Sequence, residues 1–405
     1  MEIAAEIKRL ADAGRDETAR TLSDIVQIPS LSGEEGPVIA RLEQLCREAG
    51  FDRVRVDGLG NLVAEMGAGE HTLAIDAHID TVDTGELSQW EDPPFSGLIR
   101  DGWVHGRGTV DQKGGAAAMI GAARILKQTG YSGPWRLVFT FTVMEEDCDG
   151  LCWKYLIEEE KLVPDLAVIT EPTGCRLYRG HRGRMEIEGV FKGVSAHGSA
   201  PERGENAVYK AGEAVLQVSR LNEALRVDSF LGKGTVAVTQ IASSSPSLCA
   251  IPDSCMFHLD RRLTWGETRE SALEEVLEAC GREVELIVPY YDRPSYRGTR
   301  FSQEKYFPTW KIDAGHPLCL AGMEACRLLF GEAPEIGKWT FSTNGVAICG
   351  EHRIPAIGFG PGEEAFAHAP NEKIPLDHLE RASAFYALLP YCLPPLMGEA
   401  AGGGA

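Results

Sequence analysis

Five short stretches of this chain place acids or histidines where an apolar run has just ended, in the loop after one, or where a helix is about to begin. "LAIDAHIDTVDTG" (Leu73 to Gly85) delivers His78 and Asp80 at the end of an apolar run. "GRGTVDQKGG" carries Asp111 in a glycine-rich loop, "MEED" offers Glu145 and Glu146, "TEPT" offers Glu171, and "AHAPNE" offers His368. Neutral imidazoles and carboxylates together suit Zn²⁺, Co²⁺ or Mn²⁺ better than Mg²⁺ or a thiolate-preferring metal. Two histidines with three carboxylates exceed the needs of one tetrahedral site. They would serve two ions, each held by one histidine and one carboxylate, with a further carboxylate shared. Glu145 and Glu146 are neighbours whose side chains diverge at an extended strand end. One can ligate while the other stays free as a general base for the water that attacks an amide. A lone buried histidine is more often a hydrogen-bonded core residue than a ligand, but five acid or histidine clusters in such positions are not explained that way.

For these residues to converge, the strands that end in them must lie side by side. "TLAIDAHID" reads as a buried strand, "GGAAAMIGAARILKQTG" as a small-residue helix stopped by Gly130, and "WRLVFTFTV" and "DLAVIT" as two more strands. This alternation predicts the α/β class, with a mostly parallel sheet covered by helices on both faces. Ligands of such sheets bind outside the carboxyl ends of the strands. After Tyr178 the rhythm changes to strand, helix, two strands, helix, strand, from "GRMEIEGVFKGV" to "EVELIVPYY". That βαββαβ order is the ferredoxin-like motif, a compact domain of its own. Later segments, "IPAIGFGPG" and "HLERASAFYALLP", resume the first style. The expected organisation is a discontinuous catalytic domain, 1–181 and 298–405, with a lid domain inserted at 182–297. A chain of 405 residues is long enough for two cores. The tail "GEAAGGGA" reads as disordered.

The motifs "DAHIDTV", "GRGTVDQKGG", "EED", "ITEP" and "GFGPG…AHAPNE", in this order around an inserted βαββαβ lid, resemble the dinuclear-metal aminoacylase and carboxypeptidase family. Its members include acetylornithine deacetylase, succinyl-diaminopimelate desuccinylase and glutamate carboxypeptidase. The wording of "EEDCDGLCW", "YRGHRGRMEIEG", "SAHGSAPERGENAVYK" and "KWTFSTNGVAICG" is closest to the branch of selenium-metabolism-linked hydrolases. The resemblance implies that His78 and Glu171 bind one metal, Glu146 and His368 the other, that Asp111 bridges them, and that Glu145 is the general acid/base. Asp80 would fix the His78 ring. His197 of the lid would reach a neighbouring subunit's active site to stabilise the oxyanion, so a homodimer through the lid is implied. Asn206 and Arg262 would hold a substrate carboxylate, with Arg203 and Arg261 as neighbours of unseparated role. Two departures stand out: "STNGV" at Ser342 to Val346 lacks the aspartate common in such loops, and Cys148 and Cys152 follow the glutamates, read first as inert packing thiols and second as candidates for oxidation.

Other classes lose support. A net charge of −20 without a Lys/Arg stripe argues against nucleic acid, and no apolar run reaches the roughly 20 residues of a membrane span. The amphipathic N-terminal segment lacks the features of a signal peptide, and eleven scattered cysteines fit reduced thiols, so the cytoplasm is the expected setting. No GxxxxGK[ST], GxSxG or HExxH motif is present. The expectation is therefore a hydrolase of an amide bond in a small carboxylate-bearing substrate, with two divalent ions per protomer, Zn²⁺ first and Co²⁺ or Mn²⁺ next. The alternatives are a non-catalytic binding or scaffold protein on the same fold, and another dinuclear aminopeptidase family, which would lack the lid.

Overall fold

In the computed structural model, which describes residues 2–394, the chain opens with helices α1 (Glu2–Val26) and α2 (Gly36–Ala49). The expected disordered tail lies outside the described residues. α1 buries Ala4, Ile7, Ala11, Leu22 and Ile25, a stripe at three- and four-residue spacing that turns one face inward. Strands β1 (Arg53–Val56) and β2 (Leu62–Met66) form a hairpin, followed by the buried β3 (His71–His78). Helix α3 (Lys113–Thr129) needs its small residues. A Cβ on Gly115 would meet Thr170 Oγ1 at 2.2 Å, and one on Gly121 would meet Ser383 Oγ at 2.6 Å. Then come β4 (Trp135–Thr142), α4 (Leu151–Glu158), β5 (Leu166–Ile169) and β6 (Leu177–Tyr178).

The inserted segment supplies β7 (Gly183–Lys192), α5 (Ala207–Ala224), β8 (Thr235–Ser244), β9 (Ser254–Leu263), α6 (Arg269–Cys280), β10 (Glu285–Ile287) and β11 (Tyr306–Phe307). The chain returns through α7 (Pro317–Phe330), β12 (Ile336–Gly337), β13 (Ala356–Gly358) and α8 (Leu376–Cys392).

Eight strands form the larger sheet in the order β1-β2-β4-β3-β5-β13-β6-β12. The central β4, β3, β5 and β13 run parallel, and the hairpin edge is antiparallel. Strands buried on both faces explain the unbroken apolar runs of β3 and β4. The result is the expected mixed α/β fold with a mainly parallel sheet. The smaller sheet is antiparallel in the order β8-β9-β7-β10. On β7 and β9 alternate residues are buried, and Met185, Ile187, Phe257 and Leu259 join Ala211, Ala272 and Val276 of α5 and α6 in a second core. The opposite face presents Arg184, Glu186, Asp260 and Arg262.

Two features differ from the sequence-based expectation. β10 stops at Ile287 rather than continuing to Tyr291, because Pro289 has no N–H for the ladder. Tyr290–Tyr291 pairs instead with Gln303–Glu304. Between those short strands, residues 292–301 leave the small sheet and cross the larger domain. The Tyr296 ring sits against Gly36 and Gly60, where a Cβ would come within 3.0 and 2.2 Å of it. Its hydroxyl donates to the Gly60 carbonyl (3.1 Å), and Thr299 Oγ1 donates to that of Gly58 (2.7 Å). β11 then pairs with β7, so the small sheet extends past the expected boundary at 297.

Where the chain enters and leaves the small domain, Gly180–His181 and Trp310–Lys311 pair antiparallel. His181 Nε2 accepts from Trp310 Nε1 (2.7 Å) and from the Thr343 N–H (3.1 Å). Both are obligate donors, so Nδ1 carries the proton and donates to the Arg182 carbonyl (2.9 Å). Burial lowers the His181 pKa to about 4 and keeps the ring neutral at this crossing. Among the described residues no helix is long and apolar enough to cross a membrane, and all eleven cysteines are unpaired.

Candidate metal centre

β3 ends at His78, whose Nδ1 faces the Asp80 carbonyl at 3.0 Å and the Asp80 carboxylate at 3.4 Å. That carboxylate accepts from Ser32 Oγ (2.6 Å) and from the N–H groups of Glu145 (3.2 Å) and Glu146 (3.0 Å). Asp80 thus orients the His78 ring and the turn after β4 at once. In that turn Met144 adopts φ +63°, unusual for a side chain of its size, and its N–H donates to Glu35 Oε1 (3.0 Å). The two glutamates consequently leave the backbone toward different neighbours. Glu145 Oε2 lies 3.9 Å from His78 Nε2, whereas Glu146 Oε2 lies 3.0 Å from His368 Nε2.

Asp111 stands between these groups. Its Oδ1 is 3.0 Å from His78 Nε2 and its Oδ2 3.3 Å from His368 Nε2, one oxygen toward each histidine. The loop that presents it is organised by buried Glu372, which accepts from Arg107 Nη1 (2.6 Å) and from the N–H groups of Gly108, Val110 and Asp111 (2.9, 2.7 and 3.0 Å). Glu171, just after β5, brings Oε1 to 3.5 Å from His78 Nε2. His78, Asp111, Glu145, Glu146, Glu171 and His368 all line one cavity of about 330 Å³, together with Asp149, Arg184, Arg262 and Ser342.

The charges do not balance. Burial pushes Glu145 well above the usual carboxylate range, opposed by the charge of His78 and reinforced by Glu171. Burial, then the charge of Asp111, does the same to Glu171 and raises Glu146 to about 7. Hydrogen bonds to Asp111 and Glu146 raise His368 to about 10. Burial works against His78, yet the charges of Glu171 and Glu145 hold its pKa well up. Glu145 Oε1 and Glu171 Oε2 are buried without a hydrogen-bond partner. Four acids crowded against two imidazoles, with orphaned oxygens, form a donor set that a divalent cation completes. The set His78, Asp111, Glu146 and the set His78, Glu145, Glu171 each bring ligand atoms within 4.8 Å of one another.

Of the remaining residues singled out in the sequence, Arg262 lines the cavity, with Nε and Nη2 on Asp260 at 2.7 and 3.0 Å. Asn206 does not line it: its Oδ1 caps α5, accepting from the N–H groups of Val208 (2.9 Å) and Tyr209 (3.4 Å). His197 is exposed in the small domain, its Nδ1 facing Ser199 Oγ at 2.7 Å, and does not line the cavity of its own chain. Arg203 is exposed, and Arg261 is buried between Glu267 (2.6 Å) and Glu275 (2.8 Å), which separates its role from that of Arg262. Asn344 of "STNGV" is buried in the larger domain. Its Nδ2 donates to the buried Asp76 carboxylate (2.9 Å), where an aspartate would set like charges together. Cys148 and Cys152 are buried, and burial raises both thiols, which favours packing residues over sites of oxidation. Sequence reasoning passed over Glu35 and Asp149, and gave Glu372 no role although it closes the quoted "AHAPNE".

Residues 74–391 match the family model described as "Peptidase family M20/M25/M40". The chain is 49% identical over 374 residues to the uncharacterized protein YgeY of Escherichia coli (strain K12), covering 92% of this chain and 93% of that one. It is 32% identical over 247 residues to the succinyl-diaminopimelate desuccinylase of Cereibacter sphaeroides (strain ATCC 17025 / ATH 2.4.3), covering 58% of this chain and 64% of that one. In structure it resembles YXEP of Bacillus subtilis, a dinuclear metal binding peptidase from the M20 family, with a TM-score of 0.69 and 18% identity over 94% of this chain and 98% of that one.

Proposed function

The chain belongs to peptidase family M20/M25/M40, and on that premise we propose that it cleaves a peptide or N-acyl bond in a small substrate that carries a carboxylate. It is a metal-dependent hydrolase of amide bonds. The observation that carries the finer reading is Asp111, with one oxygen toward His78 and the other toward His368, beside the orphaned Oε1 of Glu145. His78 and Glu171 would hold one divalent ion, His368 and Glu146 a second, and Asp111 both. Zn²⁺ is the first choice for this donor set, and Co²⁺ and Mn²⁺ also fit it. Bound there, such ions polarise an amide carbonyl and acidify water.

The chain's own groups supply the rest. Glu145 takes a proton on Oε1 from the attacking water and returns it to the leaving nitrogen; a carboxylate pushed up by burial suits both halves of that exchange. Arg262 keeps Nη1 for a substrate carboxylate. Asp80 locks the rotamer of His78. We assign His197 to the active site of a second copy, which calls for a homodimer through the small domain. Exposed Val194, Tyr209, Leu216, Ile241 and Leu248 of that domain favour this arrangement, as does the outer position of β8 in its sheet. The unpaired thiols favour a cytoplasmic setting. A binding protein without turnover is not favoured, since it would have no use for an unpartnered Glu145 among the metal ligands.

To test this, protein loaded in turn with Zn²⁺, Co²⁺ and Mn²⁺ would be offered N-acyl amino acids and dipeptides while amine release is followed. Turnover that a chelator stops and metal restores is expected. Silence across the panel with every metal would overturn the proposed substrate class and favour the binding protein. Light scattering should read twice the 44.0 kDa chain mass; a monomer would leave His197 without a site to serve.

A further inference from the structure

Beside the metal ligands, the cavity holds a second arginine. Arg184 on β7 is the direct cross-strand partner of Arg262 on β9, so both side chains leave the small sheet on the same face. The alternate residues Met185 and Arg261 point into the small domain's own core. Both arginines line the cavity that contains His78, Asp111 and Glu145. The guanidinium of Arg184 lies over the Phe307 ring at 4.6 Å and donates Nη2 to Asp149 Oδ1 at 3.3 Å. Asp149 is shared: its Oδ2 also accepts from Ser342 Oγ. The Nε of Arg184 is buried with no hydrogen-bond partner. A stacked and pinned guanidinium, its side chain only one-fifth exposed and its Nε buried without a partner, is costly to leave unmatched. Its planar fork fits a carboxylate better than any neutral group.

We propose that Arg184 is a specificity-determining residue, a second carboxylate-binding point beside Arg262, and that the preferred substrates are N-acyl or peptide derivatives of amino acids with an acidic side chain. This rests on the amide-hydrolase reading above. One carboxylate of the substrate lies on Arg262, the other on Arg184, and the scissile amide lies between them and the metal ligands. Asp149 and Phe307 position Arg184 and do not touch the reacting atoms.

The test uses pairs of equal shape that differ in one charge. Binding of glutarate and of its monoamide glutaramate to the metal-loaded enzyme is measured by calorimetry, and kcat/KM is measured for N-acetylglutamate and N-acetylglutamine. Wild type should favour the dicarboxylate about 10- to 100-fold in each pair, the usual range for a desolvated charge-assisted contact. Arg184→Met should bring both ratios close to one, and Arg184→Lys, which keeps the charge but not the fork, should fall between. An ion pair that merely ties the small domain to the large one would leave the ratios unaltered in Arg184→Met, and that result overturns the proposal. Wild-type turnover without preference would also overturn it while leaving the hydrolase reading intact. A binding preference lost in Arg184→Met, with no turnover by wild type, would keep Arg184 as a carboxylate-binding residue and overturn the hydrolase reading together with the substrate class that rests on it.

Discussion

Glu145→Gln is expected to keep its metals and its fold and to lose about 10²–10⁴ in kcat, the usual worth of a general base. In barrier height that is roughly 3–5 kcal/mol. The substitution preserves volume and one acceptor oxygen, and it removes the negative charge together with the capacity to carry a proton. Two features make the effect interpretable. The Glu145 N–H is already held by Asp80, so the turn has no reason to move. Oε1 has no partner within the chain, so no structural bond is lost there. The geometry also offers a competing role, because Glu145 falls with His78 and Glu171 in one group of atoms close enough to share an ion. Measuring bound metal together with kcat separates the two. Loss of kcat at full metal content identifies a base, loss of both identifies a ligand, and an unaltered kcat removes Glu145 from the mechanism.

The difference between Glu145 and Glu146 shows how far the sequence reaches. That the pair should split follows from adjacency alone. That Glu146 meets His368 while Glu145 turns toward His78 depends on Met144 at φ +63°, tied to a glutamate 109 residues earlier. "SGEEGP" offers no periodicity by which Glu35 could be told from Glu34, and charged pairs beside glycine usually read as solvated. The ligands themselves were legible because four of them lie directly after an apolar run or before a small-residue helix and His368 lies in the loop after a further strand, and a parallel sheet brings such ends together. Of the residues that aim them, Asp80 was legible beside His78, whereas Glu35 and Glu372 were not, because their partners are distant in sequence and buried by the fold itself. Asp149 and Arg184 belong to different domains and meet only across the cleft. Residues 292–301, rich in charge, glycine and proline, look like a surface loop; the notch formed by Gly36 and Gly60 for Tyr296 is visible only in three dimensions. Asn344 illustrates the reverse case, a departure visible in the sequence whose physical setting, a hydrogen bond donated to buried Asp76, is visible only in the fold.

Asp111→Ala is expected to lose both metals. Removing the side chain leaves His78 with Glu171 on one side and His368 with Glu146 on the other, two protein ligands each, where catalytic sites of this kind use three. Because the two oxygens of Asp111 face different histidines, at 3.0 and 3.3 Å, a single substitution reaches both positions. The fall in affinity should exceed the roughly 10- to 100-fold that follows from losing an outer contact to a ligand, so dialysis against metal-free buffer should strip the variant and not the wild type. The loop should stay in place, since Glu372 holds the N–H of residue 111, and a substitution confined to the side chain leaves that bond intact. Circular dichroism would confirm the fold, and mass spectrometry would count metal per protomer, expected near two for wild type and near zero for the variant. Two metals retained would show that Asp111 bridges nothing. One retained would make it a ligand of a single ion and would require another carboxylate, Glu145 being the nearest candidate, to join the second.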